Sequence, residues 1–165
     1  VSNPLKSAHL AVRTLISDTI KSIDDSILYA YARASDFNSL GKKLDKRCQL
    51  DPLKERLEFT SGSYNLTKTF AIGLVFYRLD DKQGAEEATA AILDEMDLLS
   101  DKFLNKLNDI LLDKDNTDDI TTFTTEITNI TKEPVVKVTT DIATGYVLKF
   151  DLVTPDAFDY CSLYE

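Results

Sequence analysis

The chain has 165 residues, of which 43% are apolar and 28% charged, a balance that fits a folded domain and excludes a disordered body. One domain of this length buries about 70% of its unfolded surface without needing staples. The net charge of −9 argues against a dedicated nucleic-acid binder, which needs a basic face to release counterions.

The charge is unevenly spread. Residues 1–56 carry ten Lys/Arg against seven Asp/Glu, and residues 57–165 carry nine against twenty-one. This asymmetry suits head-to-tail association of copies through opposite charges. No apolar run reaches the roughly 18–20 residues that span a bilayer, and the opening "VSNPLKSAHL" lacks the layout of a signal peptide. The expected location is intracellular or within an assembled particle. Cys48 and Cys161 have no metal-type spacing and read as ordinary reduced thiols.

In chain order, the spacing of Leu5, Val12, Leu15, Ile16, Ile20, Ile23, Ile27 and Tyr31 predicts a long first helix over about 4–31, with Pro4 in its first turn. Residues 32–56 contain Asp36, Asn38, Ser39, Gly41 and Pro52. They read as an extended connecting arm with a basic cluster of Lys42, Lys43, Lys46 and Arg47. A strand at 56–60 turns through "SGSYN" into a strongly apolar strand over 68–79. Both faces of that strand are apolar, which predicts a central strand covered on both sides.

A second long helix is predicted over 85–112 from Ile92, Met96, Leu99, Phe103, Leu107 and Ile110, with Glu86 and Glu87 favoured by the dipole of its first turn. The acidic loop 113–119 leads to a Thr- and Ile-rich strand over 120–131. Residues 135–142 and 146–154 follow as a hairpin turning at Ala143-Thr144-Gly145. A short aromatic tail, 155–165, ends the chain. The expected fold is a single α+β domain over 1–165. One antiparallel sheet packs against two long helices in the order α-β-β-α-β-β-β.

Signs of catalysis are weak. The single histidine, His9, has no nucleophile or ligand at a telling spacing, and there is no phosphate-binding glycine loop. The carboxylate pairs Asp24/Asp25, Asp80/Asp81, Glu86/Glu87 and Asp118/Asp119 read as solvated neighbours, not as a pair facing across a cleft. The stretch "DKDNTDD" alternates oxygen donors but lacks the glycine and terminal glutamate of a calcium loop. No enzyme activity, cofactor or metal is expected.

The long first helix leading into "YARASDFNSL", the strand "FAIGLVFYRLDD", the helix "EEATAAILDEMDLLSDKFLNKLND" and the closing hairpin "VVKVTTDIATGYVLKFDLVTP" together resemble the neck proteins of tailed bacteriophages, of the tail-terminator or tail-completion type. The resemblance lies in element order over most of the chain and in no diagnostic motif. It implies a virion structural protein assembled in the host cytoplasm. It also implies a ring of copies, expected to be a hexamer, that caps the tail tube and joins it to the head connector. DNA would pass the lumen without sequence-specific recognition, and no membrane is involved. On this reading Asp36, Phe37, Asn38, Lys42, Lys43, Lys46 and Arg47 are candidates for a subunit or tube contact, and Phe158, Tyr160 and Tyr164 for the adjacent ring. An alternative from another class is a small acidic secretion-type chaperone, a dimer holding an unfolded client in an apolar groove.

Overall fold

A computed structural model describes residues 8–31, 45–59, 66–80, 86–112, 126–138 and 143–154. The described elements are α1 (Ala8–Ile23), β1 (Leu28–Tyr31), β2 (Arg47–Leu50), β3 (Lys54–Phe59), β4 (Leu66–Leu79), α2 (Glu86–Leu112), β5 (Glu126–Val138) and β6 (Ala143–Thr154). The fold is α+β, with two helices and one six-stranded sheet. Five strands run in the order β1-β2-β4-β6-β5, and β3 also pairs with β4.

The sheet is mixed, not antiparallel throughout. β1 runs parallel to β2, with Leu28 opposite Arg47 and Tyr31 opposite Leu50, while every other pairing is antiparallel. Parallel neighbours need a crossover of about a dozen residues or more. Residues 32–46 supply it between β1 and β2, so the length of the expected arm has a topological cause. The rest of that arm is not irregular: β2 and the start of β3 fall within it. Residues 32–44 lie outside the described residues, as does the tail 155–165.

The first helix is shorter than expected and stops at Ile23. Asp24 ends it, because its carboxylate Oδ1 accepts hydrogen bonds from the backbone N–H of Ser26 at 2.9 Å and from the Ser26 hydroxyl at 2.5 Å, a local turn that competes with helix. Ile27 and Tyr31 sit at helical spacing from Ile20 and Ile23 but belong to the turn and to β1. The second helix keeps its expected extent. Its buried side chains Thr89, Met96, Leu99, Ser100, Phe103 and Leu107 follow three- and four-residue steps.

One cluster forms the core. Val12, Leu15, Ile16 and Ile20 of α1 and Met96, Leu99, Phe103 and Leu107 of α2 meet Cys48 and Leu50 of β2, alternate residues Phe70 to Phe76 of β4, and Leu148, Phe150 and Leu152 of β6. Phe103 lies between Phe76 and Phe150, with ring centroids 5.8 and 6.2 Å apart. The period of two in β4 and β6 puts these residues on one sheet face. The opposite face of β4 is not fully covered: Ala71 is exposed and Gly73 and Val75 are half-buried, although Tyr77 is buried. The expectation of cover on both sides is therefore corrected.

β2 and β3 lie end to end along the same edge of β4. Asp51 continues the β2 register, its N–H donating to the Gly73 carbonyl at 2.9 Å. Lys54 opposite Ala71 then opens a register displaced by one residue, with Pro52 in the link. One extra residue reverses which parity faces the core. Cys48 and Leu50 share the core face in β2, and Glu55, Leu57 and Phe59 share it in β3, where Glu55 stands opposite Phe70.

β5 is one strand, not two, and forms the edge of the sheet. Its register breaks between Thr128 and Thr131 and again between Val135 and Val138. Asn129 takes a left-handed φ of 53° at the first break, and its amide donates to Asp151 Oδ2 at 2.9 Å. Pro134 is accommodated because its missing donor costs little on an edge. The hairpin with β6 is present, but Ala143–Gly145 are strand residues opposite Leu79, Arg78 and Tyr77, not its turn.

Gly145 is required there by close approach. A Cβ at this position would stand 1.9 Å from the Phe76 carbonyl oxygen and 2.7 Å from the Tyr77 Cα. Gly145→Ala is expected to lower stability by about 3 kcal/mol or more, since rigid backbone must move. Phe103→Ala is expected to cost about 3–5 kcal/mol. Midpoints of urea unfolding check both.

Candidate contact surfaces and the polar end of the sheet

The charged groups at the β4 carboxyl end hold the subunit together. Lys46, just before β2, places Nζ 2.6 Å from Asp24 Oδ2 and 3.9 Å from Glu95 Oε1 of α2. Arg78 of β4 donates through Nη2 to the same Glu95 oxygen at 2.7 Å. The Lys46 carbonyl accepts from the Leu28 N–H at 2.9 Å, starting the β1–β2 ladder. One charge chain thus joins the end of α1, the entry of β2, the middle of α2 and the end of β4. The Lys46 ammonium and then the Ser26 hydroxyl hold the Asp24 carboxyl down at about 2.

Beside this chain the polar groups are buried. Asp80 is 5% exposed, and its Oδ2 accepts from the Thr89 hydroxyl at 2.7 Å and the Thr144 hydroxyl at 3.2 Å. It ties the end of β4 to the first turns of α2 and to β6. Arg47 is 1% exposed, in β2 opposite Tyr77. The expectation of a solvated Asp80 is corrected by its burial, and Arg47, expected at a contact between subunits, is buried within the subunit. A strand-terminal acid facing two buried threonines 9 and 64 residues further along leaves no local signal. For Arg47, the apolar neighbours Cys48 and Leu50 at alternating positions were the available hint of a strand.

Of the remaining residues expected at contacts, Asp36, Phe37, Asn38, Lys42, Lys43, Phe158, Tyr160 and Tyr164 lie outside the described residues. So do 113–119, the stretch weighed for calcium. Lys46 is described, and its ammonium is engaged within the subunit by Asp24. The structure therefore divides the expected basic cluster, taking Lys46 and Arg47 into the fold.

Other chemistry-bearing side chains also serve packing. His9 Nε2 lies 3.3 Å from the Tyr31 hydroxyl, with the rings edge to face, and Arg13 stands 5.1 Å over the Tyr31 ring. This group clips α1 to β1. Cys48 is fully buried in the core, and burial pushes its thiol up. Lys132 of β5 donates to Asp97 and to Asp101 of α2, the latter at 2.6 Å, and sits 5.4 Å over the Tyr146 ring. Its desolvation is outweighed by the hydrogen bonds it donates to Asp101 and Asp97, which raise its pKa. Among the described residues no cluster of three or more His, Cys, Asp or Glu is arranged to hold a metal, and no helix is long and apolar enough to cross a membrane.

The surface left open is at the other end of the sheet and along its flanks. All six residues of β3 are exposed, including Leu57 at 54% and Phe59 at 68%. On the opposite flank β5 exposes Ile130 and Val136. Sequence reading missed β3 as a surface because Leu57 and Phe59 alternate with charge as any half-buried strand would.

The chain matches no protein-family model, and no curated protein matches it in sequence.

The ion pair at the end of α1 gives a test of this local structure. In Lys46→Met the Asp24 carboxyl is expected to titrate closer to its ordinary 3.8 than to about 2, followed by carbon chemical shifts across an acid titration. Because the folded carboxyl is depressed, its contribution is present above about pH 4 and is lost as pH falls toward 2. The variant is therefore expected to be less stable near neutrality and to lose less stability than wild type over that acid interval.

Proposed function

We propose that this protein is a structural subunit of a tailed-bacteriophage neck, assembling head to tail into a ring that caps the tail tube and meets the head connector. The observation that carries the reading is the presence of exposed apolar side chains on two different flanks of one sheet, Leu57 and Phe59 of β3 and Ile130 and Val136 of β5. A ring requires a contact in which two unlike surfaces of each copy meet and the rotation closes. The unequal charge of the two parts of the chain supports the same association by favouring unlike surfaces over like ones. The buried polar groups Arg47 and Asp80 and the Asp24–Lys46 pair are committed to holding the subunit, which favours binding over catalysis.

The likeness to neck proteins rests on the sequence order of a first helix, an apolar strand, an amphipathic helix and a hairpin; the described chain has four strands between its helices and two after them, where two and three were expected. The ring reading assigns Lys42 and Lys43 to the contact between copies and Phe158, Tyr160 and Tyr164 to the adjacent layer.

Electron microscopy of the purified protein and of the native particle is the direct test, with closed rings of uniform symmetry expected. Lys42→Glu combined with Lys43→Glu is expected to abolish ring formation while leaving the melting temperature within about 2 °C of wild type. Lys46 and Arg47 are excluded from that variant because they stabilise the subunit itself. A lone monomer at every concentration, or a dimer that grips an unfolded client, would remove the ring.

A further inference from the structure

We infer that the free protein forms a two-fold dimer in which the β3 edges of two copies pair antiparallel, joining their sheets across Leu57. β3 pairs with β4 on one side, and its other side has no strand partner among the described residues. Its six side chains are exposed on both faces, and among the described residues no helix covers them. An edge strand left this way is a template for another chain unless its side chains forbid pairing. The other long edge, β5, is defended by Pro134 and two register breaks. No proline and no register break lies within β3, whose charges alternate in sign along Lys54-Glu55-Arg56-Leu57-Glu58-Phe59.

That alternation selects a second copy as the occupant. Side chains facing each other across an antiparallel ladder point to the same side of the sheet. A two-fold axis normal to the sheet therefore admits only registers in which even positions face even and odd face odd. Centring the axis at position 55 sets Glu55 against Glu55 and Lys54 against Arg56. Centring it at 56 sets Arg56 against Arg56, and at 58 sets Glu58 against Glu58. Centring it at 57 sets Leu57 against Leu57 and Arg56 against Glu58 twice, with Glu55 opposite Phe59. Of the registers centred on positions 55 to 58, only this last places no like charges opposite one another, and cross-strand pairs of opposite charge or of apolar groups are those that stabilise a ladder. It also gives the exposed Leu57 an apolar neighbour.

The dimer stands apart from the ring. The ring needs unlike flanks to meet, and the pairing uses one flank twice. Because both engage β3, the pair must part before a ring that uses this flank can close.

Sedimentation equilibrium of the full chain across a concentration series tests the pairing. Wild type is expected to be a monomer–dimer system. Arg56→Glu sets Glu against Glu58 at two places and is expected to weaken the dimer at least about tenfold, as is Glu58→Arg. The double variant Arg56→Glu/Glu58→Arg restores opposite charges in this register alone and is expected to return the dissociation constant to within about threefold of wild type. Circular dichroism melting, expected to be unchanged for these exposed positions, separates loss of pairing from loss of folding. A wild type that stays monomeric, or a double variant as weak as the singles, overturns the pairing. Neither result bears on whether rings appear in the particle, which imaging decides separately.

Discussion

Every element of this protein depends on one apolar seam, in which the stripes of two helices close on a single face of the sheet. Phe103 is the centre of it, fully buried between Phe76 of β4 and Phe150 of β6. The apolar area removed from water there is the main favourable term. It also fixes register. In β4 and β6 a slip of one residue would turn Phe70, Ile72, Leu74, Phe76, Leu148, Phe150 and Leu152 outward together, so the long pairing from Lys68↔Thr154 to Leu79↔Ala143 is strongly specified.

The seam covers one end of the sheet more fully than the other, and that inequality organises the surface. At the β4 carboxyl end, polar groups are partnered: Asp80 is buried against Thr89 and Thr144, and the part-exposed Arg78 and Lys46 pair with Glu95 and Asp24. Burial of such groups is tolerable only with partners in place, so this end is rigidly committed to the fold. At the β4 amino end, β3 is attached by its ladder to β4 and leaves its side chains in water. The one-residue slip between β2 and β3 keeps Leu57 and Phe59 on the helix-bearing face, but there they remain exposed. The exposed apolar side chains Leu57 and Phe59 therefore lie at that end, and Ile130 and Val136 on the β5 flank.

Burial followed the sequence closely where the pattern was long. The stripe of α2, the alternation of β4 and the face shared by Leu148, Phe150 and Leu152 are all legible from spacing. The candidate site was less legible. Lys46 and Arg47 sit in a run of basic residues that reads as a solvated arm, yet one closes an ion pair with a residue 22 positions earlier and the other is buried in a strand. Gly145 reads as a hairpin turn, yet its role is to let β6 approach the backbone of β4.

Local pattern by itself determined the α+β class, the second helix, the apolar strand at its centre and the residues that build the core, because burial imposes a period that a short window records. Tertiary structure alone decided the rest. It set β1 parallel to β2 and displaced β3 by one residue against β4. It also took Arg47 and Asp80 inside. Each of these depends on which distant strand supplies the partner for a backbone or a charge, and the chemistry of a contact between residues far apart in the chain leaves no periodic trace in either segment.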